Sequence, residues 1–217
     1  MKLMSQYRVC HVYSIREWQD CLEVLNDTYV HEKQWSNEAK EIFPINDLGN
    51  RNISWFVAYI GREPAGVLRV SYELPSDIYK KYDIKLLEDI PNIEYILQNN
   101  KFAEIGRFAV KEKFRSRITV ASHLMRAAVK DTIQKEYDYY ITDIFEGEKH
   151  NPYLFHTRLI GFKPVAVHDF GEINCKNRRI TMVLNLKECY NVLKNTKKQV
   201  FNFFTESWSE NLHLKMS

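Results

Sequence analysis

The run Phe102 to Val110, a helical stretch from about Val120 to Glu136, and the run Tyr137-Asp-Tyr-Tyr-Ile-Thr-Asp-Ile144 form a strand–helix–strand unit. Two strands joined through a helix lie parallel, because a tight turn returns the chain antiparallel. Upstream, Ser54-Trp-Phe-Val-Ala-Tyr-Ile60 and Ala65-Gly-Val-Leu-Arg-Val-Ser-Tyr72 flank the turn Gly61-Arg-Glu-Pro64 and read as an antiparallel hairpin. A chain holding both connections builds a mixed central sheet flanked by helices, so the expected class is α/β.

The remaining segments fill in around that sheet. Ser14-Ile-Arg-Glu17 has capping-box spacing, and Trp18, Cys21, Leu22, Leu25 and Tyr29 recur at helical intervals, which predicts a helix to about Val30. His31 to Asn52 is polar, carries Pro44 and Gly49, and reads as a long excursion or broken helix. Pro75 to Asn100 reads as an irregular, partly helical insertion, and Pro152 to Leu159 as a short helix ending near Gly161. Two β segments follow, Lys163 to Phe170 and Arg179 to Leu186. Lys187 to Ser217 reads as a helical tail with Val200, Phe201, Phe203, Phe204 and Trp208 as its apolar residues. The expected division is a domain over 1–190 and a tail over 191–217.

Composition narrows the function classes. With 217 residues and 45% hydrophobic content, the chain suffices for one sizeable core. A net charge of +3 does not argue for nucleic-acid binding. No segment approaches the roughly 20 apolar residues of a membrane span, and the N-terminus lacks a secretory h-region. Cys10, Cys21, Cys175 and Cys189 show no Cys-x-x-Cys spacing. The expectation is therefore a cytoplasmic protein with reduced thiols and no stable membrane insertion. The seven histidines show no metal-ligand spacing, so no metal is expected.

The segment between the third strand and its helix, Lys111-Glu-Lys-Phe-Arg-Ser-Arg117, is basic. A helix N-terminus flanked by cations is a phosphate seat, and the competing reading is a solvated loop. Glu104 stands mid-strand among apolar residues, either as a proton acceptor or as the partner of an ion pair with Arg107 or Arg69. Glu104 and Arg107 are three apart and point to opposite faces of a regular strand, unless a bulge near Gly106 intervenes.

Glu104-Ile-Gly-Arg107-Phe-Ala-Val110, the turn Phe114-Arg-Ser-Arg117, the helix containing Leu124-Met-Arg-Ala-Ala128 and the later Gly161-Phe162 together resemble the GNAT acyltransferases. They resemble that superfamily's central strand, acyl-donor loop, following helix and last shared motif. The ordered series Trp35, Asp47, Arg69, Glu104, Arg107 resembles more closely the bacterial N-acyl amino acid synthases and the acyl-homoserine lactone (autoinducer) synthases. The resemblance covers about Val24 to Val165. It implies a GNAT-like fold and an N-acyltransferase that moves a medium- or long-chain fatty acyl group. The donor would be an acyl carrier protein or acyl-CoA, the acceptor the α-amino group of an amino acid or related small amine, and no cofactor would be tightly bound.

The same resemblance implies the site. Glu104 and Arg107 would be catalytic or acceptor-site residues. Phe108, Ala109, Val110, Arg115, Ser116, Arg117 and Ser122 would receive the donor. Trp35, Asp47 and Arg69 would bind the acceptor or acyl chain, with Trp35 either a lid or a core plug; Asp143, read from its place near a strand end and not from the resemblance, either faces the acceptor amine or is solvated at a turn. Tyr153 or His156 would protonate the leaving thiolate, or no residue does, in place of the tyrosine that GNAT enzymes often carry just before Gly-Phe. The donor loop departs from the acetyl-CoA users by having no glycine, with Ser116, Ile118 and Val120 at those places. That suits a donor delivered by an acidic carrier protein, for which Lys111, Lys113, Arg115, Arg117 and Arg126 form a complementary docking patch. Two other readings stand beside this one. An acyl-homoserine lactone synthase would use S-adenosylmethionine, although Asn26 and Asp27 occupy the place of that family's first-helix arginine. A catalytically silent binding module would dock a partner through the tail around Phe203 and Trp208.

Overall fold

The computed structural model describes residues 7–72, 84–87, 96, 98–115, 118–148, 152–169, 171 and 173–217. Strand β1 (Tyr7–His11) precedes helix α1 (Ile15–Leu25), which buries Cys21, Leu22, Val24 and Leu25. The capping box forms: Glu17 N–H donates to Ser14 Oγ at 3.2 Å, and Ser14 N–H donates to Glu17 Oε2 at 3.0 Å. Helix α1 runs on into a wider, π-type segment, Asn26–Glu32. The polar excursion that follows holds a short helix, α2 (Ala39–Ile42), and a 3₁₀ turn, Ile45–Asp47.

The expected hairpin is β2 (Ile53–Ile60) and β3 (Glu63–Ser71), paired antiparallel from Ile53↔Ser71 to Ile60↔Glu63. Next come β4 (Lys85–Leu86), β5 (Phe102–Val110), α3 (Ile118–Gln134) and β6 (Tyr139–Phe145). A π-type turn, Phe155–Ile160, leads to β7 (Lys163–His168) and β8 (Arg179–Asn185). Three helices end the chain: α4 (Leu186–Thr196), α5 (Lys198–Thr205) and α6 (Glu210–Met216).

The strands form one eight-stranded sheet in the order β1-β2-β3-β5-β6-β8-β7-β4. It is mixed, as the two kinds of connection require: β5 and β6 pair parallel, β6–β8 and β7–β8 antiparallel. Strand β1 was not legible in the sequence because its partner is remote, Tyr7 pairing with Ile60 and His11 with Phe56. Most of the insertion expected over Pro75 to Asn100 lies outside the described residues; within it, β4 pairs with β7.

By packing, the chain divides into two compact units, Met1–Ser71 with Gly106–Val129, and Tyr72–Ile105 with Lys130–Ser217. The first unit is centred on Trp55, whose ring stacks on Phe43 at 4.0 Å with an interplanar angle of 8°. In the second, Tyr140 is fully buried and donates its hydroxyl to Thr132 Oγ1 at 2.6 Å. The expected tail belongs to this unit, and the 190/191 boundary falls inside α4. Tyr190 stacks on Trp208 and its hydroxyl lies 2.9 Å from His213 Nδ1, while Phe204, Leu212 and Met216 are buried. Lys130 Nζ donates to the Ser207 carbonyl at 2.8 Å. The aromatic residues read as a partner-docking surface are thus largely spent on packing within their own unit.

One close approach fixes the first unit. A Cβ added at Gly66 would lie 2.9 Å from the Ala109 carbonyl oxygen, 3.0 Å from Val120 Cγ1 and 3.2 Å from Leu124 Cδ1. The nearest of these is backbone and has no rotamer to yield. Gly66→Ala is expected to destabilise the protein by about 1–3 kcal/mol, as an overpacking substitution does. Urea unfolding of the two proteins at pH 7 measures it, and an unchanged midpoint would show that β3 and β5 separate freely.

Candidate active site

Strand β5 changes character along its length. Phe102, Ala103, Ile105 and Ala109 are buried, while Glu104, Gly106, Arg107, Phe108 and Val110 are half-buried. The parallel ladder with β6 runs from Phe102↔Tyr139 to Glu104↔Ile141. At the next residue a side chain takes over, as Thr142 Oγ1 donates to the Ile105 carbonyl at 2.8 Å. Two residues later Arg107 adopts a left-handed backbone, φ +51°. For a residue with a Cβ that conformation costs about 1–2 kcal/mol. It also interrupts the strand's alternation, so the rule sending Glu104 and Arg107 to opposite faces no longer applies. The irregularity expected at Gly106 falls on Arg107 itself.

Glu104 sits on the last rung of that ladder, two residues beyond Phe102 and so on the same sheet face. That face carries the apolar cluster of Phe102, Ile141, Val165, Ala166 and Val183. Asp143 is two residues beyond Ile141 and shares the face. With strands ~4.8 Å apart and a rise of ~3.3 Å per residue, the Cα atoms of Glu104 and Asp143 are about 8 Å apart. Asp143 lies within β6, not at a turn, and its carboxylate is held at both oxygens. Thr181 Oγ1 donates to Oδ1 at 2.7 Å, and His168 Nε2 is 3.1 Å from Oδ2. Neither Thr181 nor His168 was singled out from sequence. The register that places them, Asp143↔Thr181 and His168↔Arg179, is long-range.

The basic loop is rearranged relative to expectation. Lys111 is buried, with Nζ 2.5 Å from Glu23 Oε1 and 3.0 Å from Asp27 Oδ2. Burial alone would depress its pKa, but the two carboxylates more than offset this and the pKa is raised. Lys113 pairs with Glu63, and Arg115 pairs with Glu32 and donates Nε–H to the Val110 carbonyl at 2.8 Å. Three of the five cations assigned to a docking patch are therefore neutralised by acids of their own unit, and Lys111 is not on the surface at all. Of the other donor residues, Ser122 is buried on α3, Arg126 is half-buried, and Ser116 and Arg117 lie outside the described residues.

Two members of the Trp35–Asp47–Arg69 series converge on Trp55, which the sequence reading passed over as a strand residue. Trp55 Nε1 donates to Asp47 Oδ2 at 3.2 Å, and Trp55 pairs with Arg69 across the β2–β3 ladder. Trp35 is half-buried, packing edge-on against Tyr29 with the Lys33 ammonium over its ring. It is thus not a core plug.

The two candidate acids differ. Tyr153 is half-buried, and its carbonyl accepts from Thr157 Oγ1. His156 is 2% exposed and its ring lies 5.0 Å from that of Phe162. Burial lowers its pKa to about 4, against a smaller opposing pull from the Pro152 carbonyl. Burial thus disfavours the imidazolium that would readily protonate a leaving thiolate at pH 7. Among the described residues no group of three or more His, Cys, Asp or Glu side chains is placed to hold a metal ion. Nor is any described helix long and apolar enough to cross a membrane.

The depressed His156 pKa carries a consequence for acid stability. Between pH 6.5 and 4 the unfolded chain takes up a proton at His156 that the folded protein refuses, so stability falls as pH falls through that window. The loss is about 3 kcal/mol across the window, at 1.36 kcal/mol per pKa unit. His156→Leu is expected to flatten this limb in urea unfolding at pH 7 and pH 4.5. An unchanged slope would mean that the ring is solvated.

No protein-family model matches the sequence, and no curated protein matches it. Solved structures do. FeeM, an N-acyl amino acid synthase from uncultured soil microbes, superposes with a TM-score of 0.64 at 18% identity, over 86% of this chain and 94% of FeeM. An N-acetyltransferase from Staphylococcus aureus Mu50 gives 0.60 at 13% identity, over 84% of this chain and 99% of that one. An aminoglycoside 6'-N-acetyltransferase complexed with coenzyme A gives 0.57 at 12% identity, over 82% and 97%. These matches show that the chain has the GNAT fold.

Proposed function

We propose that the chain is an N-acyltransferase that moves a fatty acyl group from a pantetheine thioester to the α-amino group of an amino acid or related small amine. The observation that carries this reading is Glu104, a half-buried carboxylate on the last rung of the β5–β6 ladder. Likeness to FeeM supports the amino-acid acceptor. Likeness to the aminoglycoside enzyme supports a coenzyme A thioester as donor.

In this reading Glu104 takes a proton from the acceptor's ammonium group, giving a neutral amine. The amine nitrogen attacks the thioester carbonyl, whose developing oxyanion is received by backbone N–H of Phe108 or Ala109. The C–N bond forms and the C–S bond breaks; the departing thiolate takes a proton from Tyr153, the new amide nitrogen sheds its second proton to solvent, and Tyr153 regains one from solvent. Arg107 and Arg69 supply positive charge for an acceptor carboxylate, and Ser122 lies on the helix that follows the donor loop. Lys111, Lys113 and Arg115 are engaged by acids within their unit, so this reading does not assign them to carrier-protein docking.

The test is mass spectrometry of lipid extracts from cells overproducing the protein, beside purified enzyme assayed for thiol release from decanoyl-CoA and decanoyl carrier protein. One new N-acylated amine is expected, absent with Arg107→Ala. Glu104→Gln is expected to lower kcat by about 10²–10⁴-fold, the range for losing a general base. A full set of L-amino acids and S-adenosylmethionine giving no acyl transfer from either donor would rule the reading out. A lactone product would instead select S-adenosylmethionine as acceptor.

A further inference from the structure

Asp143 is an exposed strand carboxylate with unusual support. Thr181, directly across the β6–β8 ladder, donates to one oxygen, and His168, at the end of β7, faces the other at 3.1 Å. Both supporting residues are buried, while the Asp143 side chain keeps 39% of its surface exposed. A carboxylate that only met water would gain little from two buried donors, since water satisfies it equally well and leaves it mobile. Fixing it costs side-chain entropy and yields a preorganised acceptor. Each oxygen retains a further lone pair beyond the one it uses.

The position of Glu104 gives that acceptor a use. Glu104 and Asp143 share one sheet face, with Ile141 beside Glu104 and two residues before Asp143. Their Cα atoms are about 8 Å apart, a separation across which one ammonium group can donate a hydrogen bond to each carboxylate. The ring face of a neighbouring aromatic or a lone acid would give no such division of labour. Asp143 is held in place by two neighbours and so suits an anchor, while Glu104, on the last rung of the ladder, takes the proton.

We infer that Asp143 anchors the acceptor's ammonium group, with His168 and Thr181 as the positioning residues that hold its carboxylate, an inference that rests on the N-acyltransferase reading. The ligand class is a primary amine entering as its cation. One N–H stays hydrogen-bonded to Asp143 while Glu104 removes another proton, so R–NH₃⁺ and the Glu104 carboxylate become R–NH₂ and the Glu104 carboxylic acid. An N-acetylated or otherwise uncharged analogue lacks the group that Asp143 recognises.

Binding is measured without donor or turnover, by saturation-transfer NMR with the L-amino acids, phenethylammonium and the N-acetyl derivatives of each. The expected result is binding of at least one ammonium compound and not of its N-acetyl derivative. Asp143→Asn and Thr181→Val weaken that binding about 10-fold or more, as loss of a hydrogen bond to a charged group does. Thr181→Ser, which keeps the hydroxyl, restores it, and His168→Gln, which keeps a donor, weakens it less than His168→Leu. Circular dichroism melts report folding; if Asp143→Asn does not fold, the Thr181→Val and Thr181→Ser pair decides. Binding indifferent to Asp143 and Thr181, or no ammonium compound bound by the parent protein, overturns the inference. Asp143-dependent binding with no acyl transfer from decanoyl-CoA or decanoyl carrier protein leaves the site standing and removes the enzymatic reading instead.

Discussion

Lys111 is the residue on which the exit of β5 depends. Its backbone N–H donates to the Ala65 carbonyl of β3 at 2.9 Å, and its ammonium is held by Glu23 and Asp27. A buried cation is tolerated only when partners replace its water, and here two do. Those acids are themselves about half exposed, so the cluster draws part of its stabilisation from solvent and is not a sealed interior pair. Arg115 repeats the device one turn later with Glu32 and the Val110 carbonyl. The acids fall at 23, 27 and 32, four apart and then five. The wider π-type turn over Asn26–Glu32 accommodates that longer step, since its hydrogen bonds span five residues.

This arrangement explains which features of the chain were legible in its sequence. The hairpin, β5, α3 and β6 were readable because each is set by a local pattern: a turn between alternating runs, or an apolar stripe at helical spacing. The basic loop was misread because its meaning lies in acids some 50 to 90 positions away, which no window along the chain contains. Strand β1 was missed for a related reason, as five residues become a strand only when β2 offers them a ladder. Asp143 was found as an acid near a strand end, but the hydroxyl and imidazole that fix it come from β8 and β7. At Arg107 the local rule itself misled. Glycine is the residue expected to take a left-handed backbone, yet the neighbouring arginine takes it.

That exchange bears on how a glycine-free donor loop remains compatible with the fold. Glycines in such loops let backbone approach a ligand, but backbone can also be presented by holding an ordinary strand rigidly in place. Beyond Glu104 the β5–β6 ladder ends, and the strand is held from the other side instead. The missing Cβ of Gly66 lets β3 come against the Ala109 carbonyl, and Lys111 and Arg115 clamp the two residues that bracket the turn. Phe108 to Val110 are thereby fixed between a left-handed residue and an ion-paired one. Fixed backbone N–H groups stabilise a developing oxyanion without reorganising during the reaction. In the acyltransferase reading the cost of Arg107's conformation and of burying Lys111 is then the cost of that preorganisation, which explains why a charged side chain is tolerated at each place where a simpler residue would strain the chain less.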